Sequence, residues 1–242
     1  MIPRIIHCCW FGGKDIPAEF CRYMETWKEH NPDYRILLWN EENSPMGLPY
    51  MQTALSNAKW ANLSNYTRLH ALNEQGGIYL DVDMEVLRSF DGLLENACFL
   101  GFESGVNPKE KLLINNAVLG ATPGHPFIVE SMEYLLGKFD GTERAPHSGP
   151  FMTTRILMNN GLESYGEQVV EGVRIYPVEY FYPFAYQRRE SDTITERTYA
   201  VHHWAATWQE KIKMTPGRRV VRKLRRVFRR KKEWDPFMEE ES

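Results

Sequence analysis

The sequence predicts a single α/β domain followed by a basic tail, and three observations lead there. A strand, a helix and a second strand follow one another over residues 4–10, 17–30 and 34–39, with Gly12-Gly13 in the turn after the first strand. A later helix stops at Gly76-Gly77 and gives way at once to the apolar run Ile78-Tyr79-Leu80. The 242 residues, 43% hydrophobic and 25% charged, can bury a full core and are most simply one domain.

Each element follows from local chemistry. The first helix opens with Pro17, which a first helical turn tolerates, and carries Phe20, Met24 and Trp27 inward. Strand, helix and strand with glycines in the first turn have the form of a nucleotide-binding unit. The absence of Gly-x-Gly-x-x-Gly limits the inference to a mononucleotide. Residues 40–49 read as a loop. One helix is expected over 54–75, because Leu55, Ala58, Leu63, Tyr66, Leu69 and Leu72 recur near helical spacing. Short strands are expected at 98–102, 116–120, 173–176 and 198–204, helices around 126–137 and 149–159, and a loop at 103–111.

Asp81-Val82-Asp83 closes the apolar run after Gly77. Read as one strand reaching Met84, the segment places Ile78, Leu80, Val82 and Met84 on one face and Tyr79, Asp81 and Asp83 on the other. Two carboxylates leaving a buried strand on one side repel each other unless a cation lies between them. A hard divalent metal with oxygen ligands is the usual solution, and it can bridge a pyrophosphate. An isolated Asp-x-Asp is more often merely solvated, but here helix, glycine stop, strand and paired acids form one unit.

Composition narrows the setting. Cys8, Cys9, Cys21 and Cys98 lack metal-ligand spacing and suit a reduced, intracellular chain, as small core residues. No stretch approaches the roughly 20 apolar residues that cross a bilayer, and no signal-peptide pattern opens the sequence, so a cytoplasmic protein is expected. The acceptor patterns at Asn62 and Asn65 lie inside the expected helix and read as chance matches for glycosylation. Seven Trp and twelve Tyr suit surfaces that stack sugars or bases.

Charge is unevenly placed. Residues 218–232 hold ten of the 29 Lys and Arg and no acid, which leaves 19 bases against 32 acids elsewhere. Within that run Val220, Val221, Leu224, Val227 and Phe228 form an apolar stripe at helical spacing on an otherwise cationic helix. Such a helix lies on an anionic membrane surface, each basic residue adding about 1 kcal/mol near it. Nucleic acid is the competing partner for a basic run, but a phosphate-binding helix does not need the stripe, so no nucleic-acid partner is expected. A merely solvated tail is the plainer alternative.

Several patches in order, Ile2-Pro3-Arg4-Ile5-Ile6-His7, Trp10-Phe11-Gly12-Gly13, Pro32-Asp33-Tyr34, Trp39-Asn40, Lys59-Trp60-Ala61, Ser64-Asn65-Tyr66-x-Arg68, residues 76–83, Gly149-Pro150 and His202-His203-Trp204, resemble the family 32 glycosyltransferases. The likeness covers about residues 1–208, nearly all of a domain drawn over 1–212, with 213–242 as the basic amphipathic tail. It implies a GT-A type fold with a Rossmann-like nucleotide-binding half and a mixed central sheet. It also implies a nucleotide-sugar donor, Mn²⁺ or Mg²⁺ as cofactor, retention of anomeric configuration, and a glycan or lipid-linked glycan acceptor. On resemblance, UDP-hexose ranks first and GDP-mannose second as donor.

The same resemblance assigns roles. Trp10 would stack near the base, Tyr79 would pack by the nucleotide and Arg68 would contact the diphosphate or sugar. Asp83 would be the most direct metal ligand, with Asp81 on ribose, sugar or metal-bound water. His203 would add a metal or phosphate contact, with His202 as the alternative because neighbouring strand residues point opposite ways. Trp208 would close over the donor. One departure stands out: the family usually has Ser-Asp-Tyr where this chain has Ser64-Asn65-Tyr66. An asparagine keeps the shape but loses the charge at a position expected to hold donor hydroxyls, so a catalytically weak or inactive nucleotide-sugar-binding protein is the alternative. Glu103 is a candidate acceptor-side acid or base, an exposed loop position being its ordinary reading. Tyr180, Phe181, Tyr182, Phe184 and Tyr186 either shape an acceptor pocket or belong to the core. Peripheral attachment to the inner face of the membrane completes the expectation.

Overall fold

The computed structural model describes residues 1–104, 106, 111–184 and 194–205. Its N-terminal part is a parallel half-sheet in which β1 (Ile5–Cys9) lies between β2 (Arg35–Trp39) and β3 (Gly77–Leu80). α1 (Ala18–His30) joins β1 to β2, while α2 (Pro49–Ser56) and α3 (Trp60–Gln75) carry the chain to β3 on the other side of β1. The connections thus diverge from β1, and the carboxyl ends of β1 and β3 are the place where α/β sheets of this order bind ligands.

Past β3 the sheet becomes mixed. After β4 (Met84–Val86), β5 (Cys98–Ser104) and β6 (Leu113–Ala121) form an antiparallel pair, and β6 is also antiparallel to β3. α4 (Pro126–Lys138) and α5 (Met152–Asn159) follow, then β7 (Gln168–Val170) and β8 (Val173–Tyr176), giving the order β2-β1-β3-β6-β5-β8-β7. β4 leaves this sheet and pairs with β9 (Ala200–His202) in a two-stranded ribbon.

Two apolar layers sandwich the sheet. Leu63, Leu69 and Leu72 of α3 pack with Tyr79, Leu119 and Ile156 in one cluster, while Phe20 and Trp27 of α1 pack with Ile78, Leu80, Val82, Met84 and Phe99 in the other. The alternation expected for 78–84 is therefore seen in the core. Phe181 and Tyr182 are core residues of the second cluster, so the aromatic run is in part ordinary packing.

Three expectations change. The single helix over 54–75 is two helices, because α2 ends in a Schellman motif: Lys59 N–H bonds Ala54 O at 2.9 Å and Ala58 N–H bonds Leu55 O at 3.0 Å, with Ala58 at φ 52°. The paired acids do not continue a strand. Asp81 N–H still bonds Ala117 O, but Met84 N–H turns back to Asp81 O at 3.0 Å, and the chain changes sheets there. Glu103 belongs to β5 rather than to a loop. β4 and β7 are strands without a sequence forecast of their own. The boundary at 212, the tail 213–242, Tyr186 and Trp208 lie outside the described residues.

Candidate active site

The acids stand where the chain leaves one sheet for the other, and the exit is built by glycine. Gly76 (φ 62°) ends α3 and Gly77 (φ 108°) starts β3. A Cβ at Gly77 would meet Ile5 O at 2.6 Å, so β3 lies against β1 only because that side chain is missing. His7 pins the same joint: Gly76 O accepts from its Nε2 at 2.8 Å, while Trp39 Nε1 donates to its Nδ1 at 3.0 Å.

Asp81 is oriented from behind. Tyr79 donates its hydroxyl to Asp81 Oδ1 at 2.7 Å, and Arg68 Nη2 lies 3.4 Å from the same oxygen. Burial pushes the Tyr79 phenol well above the usual range, against the opposing pull of Arg68, so the hydroxyl stays a donor. Arg68 is buried, with its guanidinium 4.4 Å above the Tyr79 ring, donating to Asn116 O at 2.6 Å and Ser64 O at 3.2 Å. Its position makes it the support of Asp81.

Asp83 meets a histidine. The ribbon pairs Met84 with His202, which brings His202 Nε2 to 3.2 Å from Asp83 Oδ1, while Ala205 N–H donates to Oδ2 at 2.8 Å. Burial alone would raise the Asp83 carboxyl, but the charge and hydrogen bond of His202 outweigh it and hold it low. Burial likewise lowers His202, and Asp83, with Asp81 and Glu103 behind it, raises it on balance. Ligand atoms of Asp81, Asp83 and His202 all lie within 4.8 Å of one another. His202 Nδ1 is buried and, among the described residues, has no hydrogen-bond partner. Two carboxylates and an imidazole with a spare ring nitrogen are a donor set that fits Mn²⁺ or Mg²⁺.

His203, the first choice for a metal contact, is placed elsewhere. Its Nε2 is 2.8 Å from Glu85 Oε2 and its ring stacks on Tyr23 at 4.2 Å. Successive residues along the ribbon point to opposite sides, so when His202 faces the acids His203 faces α1. Sequence offers no mark of which of two adjacent histidines turns inward.

Trp10 lies directly beyond the carboxyl end of β1, its indole N–H donating to Lys14 O at 2.5 Å and its ring edge-on to Phe20. Asn65 is buried against the loop before α5, where Nδ2 donates to Ala145 O at 2.9 Å and Ser148 Oγ at 3.2 Å. A carbonyl only accepts, so the amide nitrogen must face Ala145 and an aspartate could not replace it there. The structure thus brings together Arg68, Tyr79, Asp81, Asp83 and His202, and sets Asn65 and His203 to holding neighbouring segments. Asn115 and Asn116, which support Glu103 and Arg68, carried no signal beyond their place in a strand.

Comparison with known proteins agrees with this geometry. Residues 17–100 match the family described as glycosyltransferase sugar-binding region containing DXD motif, and residues 120–227 match the alpha 1,4-glycosyltransferase conserved region. The solved structure of PaToxG Glycosyltransferase shares the fold, with a TM-score of 0.55 at 18% identity over 65% of this chain and 69% of that one. The chain has the GT-A fold of glycosyltransferases. Two glycosyltransferase sequence regions thus follow one another along it, and the first contains Asp81-Val82-Asp83. Mannosyl phosphorylinositol ceramide synthase SUR1 of Saccharomyces cerevisiae is 28% identical over 140 residues, 56% of this chain and 35% of that protein. Lactosylceramide 4-alpha-galactosyltransferase of Mus musculus is 28% identical over 186 residues, 71% of this chain and 46% of that protein. The chain spans about a third to a half of the length of these two relatives.

Proposed function

We propose that this chain moves a hexose from a nucleotide sugar to a glycolipid acceptor, with a divalent cation held by Asp81, Asp83 and His202. The observation that carries this reading is the convergence of those three side chains beyond the carboxyl ends of β1 and β3. Bound there, Mn²⁺ or Mg²⁺ would offset the negative charge that grows on the diphosphate as the bond from sugar C1 to phosphate breaks. The protein's part is preorganisation. Arg68 and Tyr79 hold Asp81 in one orientation, the Ala205 amide holds Asp83, and Trp10 offers a flat face at the base end of the site. Retention, with the acceptor attacking the face the nucleotide leaves, is the stereochemistry the family resemblance supports.

The named activities of the relatives, one mannosyl and one galactosyl, support a hexose, and both names contain a ceramide lipid. We therefore place the acceptor at a membrane surface, with UDP-hexose as first donor and GDP-mannose as second. Among the described residues no helix is long and apolar enough to cross a membrane. Attachment would be peripheral and on the cytoplasmic face, through the basic stretch 218–232. The use of the Asn65 amide by Ala145 and Ser148 supports an active enzyme over an inactive one, because the missing aspartate charge is matched by a structural need for an N–H.

Calorimetry with UDP, GDP, UDP-glucose, UDP-galactose and GDP-mannose tests the reading. Binding that requires Mn²⁺ and disappears with chelator is expected. A manganese-saturated protein without affinity for any of the five would overturn it.

A further inference from the structure

Glu103 is a carboxylate that the site as described leaves unused. β5 pairs Phe102 with Ile114 and Ser104 with Leu113, so two steps along β5 match one along β6 and Glu103 is the extra residue of a β-bulge. A bulge interrupts the alternation of a strand and re-aims the side chain it carries, and bulges gather beside active sites. The re-aimed group is also fixed. Asn115 Nδ2 donates to Glu103 Oε2 at 2.8 Å, Ala117 N–H donates to Asn115 Oδ1 at 2.7 Å, and Asp81 N–H donates to Ala117 O at 2.9 Å. One continuous hydrogen-bonded path therefore sets Glu103 relative to Asp81.

Only half of the carboxylate is used by this path. Oε1 makes no hydrogen bond among the described residues, although burial is enough to push Glu103 above the usual glutamate range, against the lowering effects of Asn115 and His202. Its charge is felt in turn by His202 and by Tyr182, which lie around the acids. Glu103 is half-buried and its second oxygen is not sealed in the core, so beside the two other acids it offers an acceptor that the cross-strand bond does not use. Nothing in that bond to Asn115 calls for a charge, since a glutamine oxygen would accept it equally well.

We propose that Glu103 is a sugar-binding residue, its free oxygen accepting a hydrogen bond from a hydroxyl of the hexose to be transferred. This rests on the reading of the chain as a nucleotide-sugar enzyme and adds to it the group that distinguishes the sugar from its nucleotide. The Glu103→Gln variant is a pointed test, because Asn115 must still donate to an oxygen. The glutamine oxygen takes that place and its NH₂ falls where Oε1 was, turning an acceptor into a donor.

Calorimetry with Mn²⁺ would compare wild type, Glu103→Gln and Glu103→Ala on UDP, GDP, UDP-glucose, UDP-galactose and GDP-mannose. Loss of one charge-assisted hydrogen bond predicts nucleotide-sugar affinity lower by about tenfold or more, with affinity for the matching nucleoside diphosphate within about twofold of wild type. A merely structural role would lower both equally, and that result, or unchanged sugar affinity, would overturn the proposal. Should neither variant fold, monodeoxy forms of the preferred donor on wild type carry the test, and equal affinity for all of them would reject it. Wild type that binds no nucleotide at all would mark the failure of the broader reading instead.

Discussion

Protonation of His7 should unfasten the joint between α3 and β3 that launches the paired acids. The ring is buried and doubly engaged, with Nε2–H donating to Gly76 O and Nδ1 accepting from the Trp39 indole. A second proton would set N–H against N–H at Trp39. Burial holds the folded-state pKa at about 4 against an ordinary 6.5, outweighing the raising effect of the Gly76 bond. The sign follows from which state takes the proton first. Below pH 6.5 the unfolded chain binds it and the folded chain does not, so stability is full above 6.5 and falls as pH drops towards 4. At about 1.36 kcal/mol for each pH unit the whole interval is worth about 3 kcal/mol, most of it lost by about pH 4.5. Urea unfolding of wild type and His7→Gln at a series of pH values isolates this contribution, since glutamine does not titrate. The difference between the two proteins should shrink by about 2–3 kcal/mol from about pH 7 to about pH 4.5. Parallel curves over that interval would refute the reasoning, as would a His7 ring titrating near 6.5 by NMR if the variant does not fold.

Three substitutions probe the rest. Asp83→Asn should cut transfer by several kcal/mol of transition-state stabilisation, roughly a thousandfold, and remove its metal dependence while the fold survives; a variant whose turnover still rises with added Mn²⁺ would reject Asp83 as a ligand. Asn65→Asp should lower stability by about 1–3 kcal/mol in urea unfolding at neutral pH, because a carboxylate would face the Ala145 carbonyl and the Ser148 bond would lose its N–H donor; unchanged stability would show that Asn65 does not hold this loop. Ala58→Gly should stabilise by about 1 kcal/mol, since φ 52° is strained for a Cβ-bearing residue, and a lower melting temperature would contradict the Schellman geometry.

What sequence reveals and conceals here follows from how far each effect reaches along the chain. Period-two patterning gave the core face of 78–84 correctly because Ile78, Leu80, Val82 and Met84 bury side chains on one side even across the turn at Asp81–Asp83. The same pattern hid that turn, since a change of sheet is decided by β9, more than a hundred residues away, and local propensity does not register it. The end of α2 was hidden for a different reason: the left-handed residue that closes it is Ala58, where a glycine would have announced a stop. The choice between His202 and His203 depends on the pairing of Met84 with His202; shifting that register by one residue would exchange the two rings. Glu103 follows the same logic, for a bulge is a mismatch between two strands and neither strand contains it alone. The acids were legible because like charges beside an apolar strand conflict locally. Tyr79 was legible with them, falling on the same face by alternation. Which histidine meets Asp83 was not, because β9 is brought there by long-range pairing, and the chemistry of this site is therefore specified as much by β-sheet register as by the Asp-Val-Asp tripeptide.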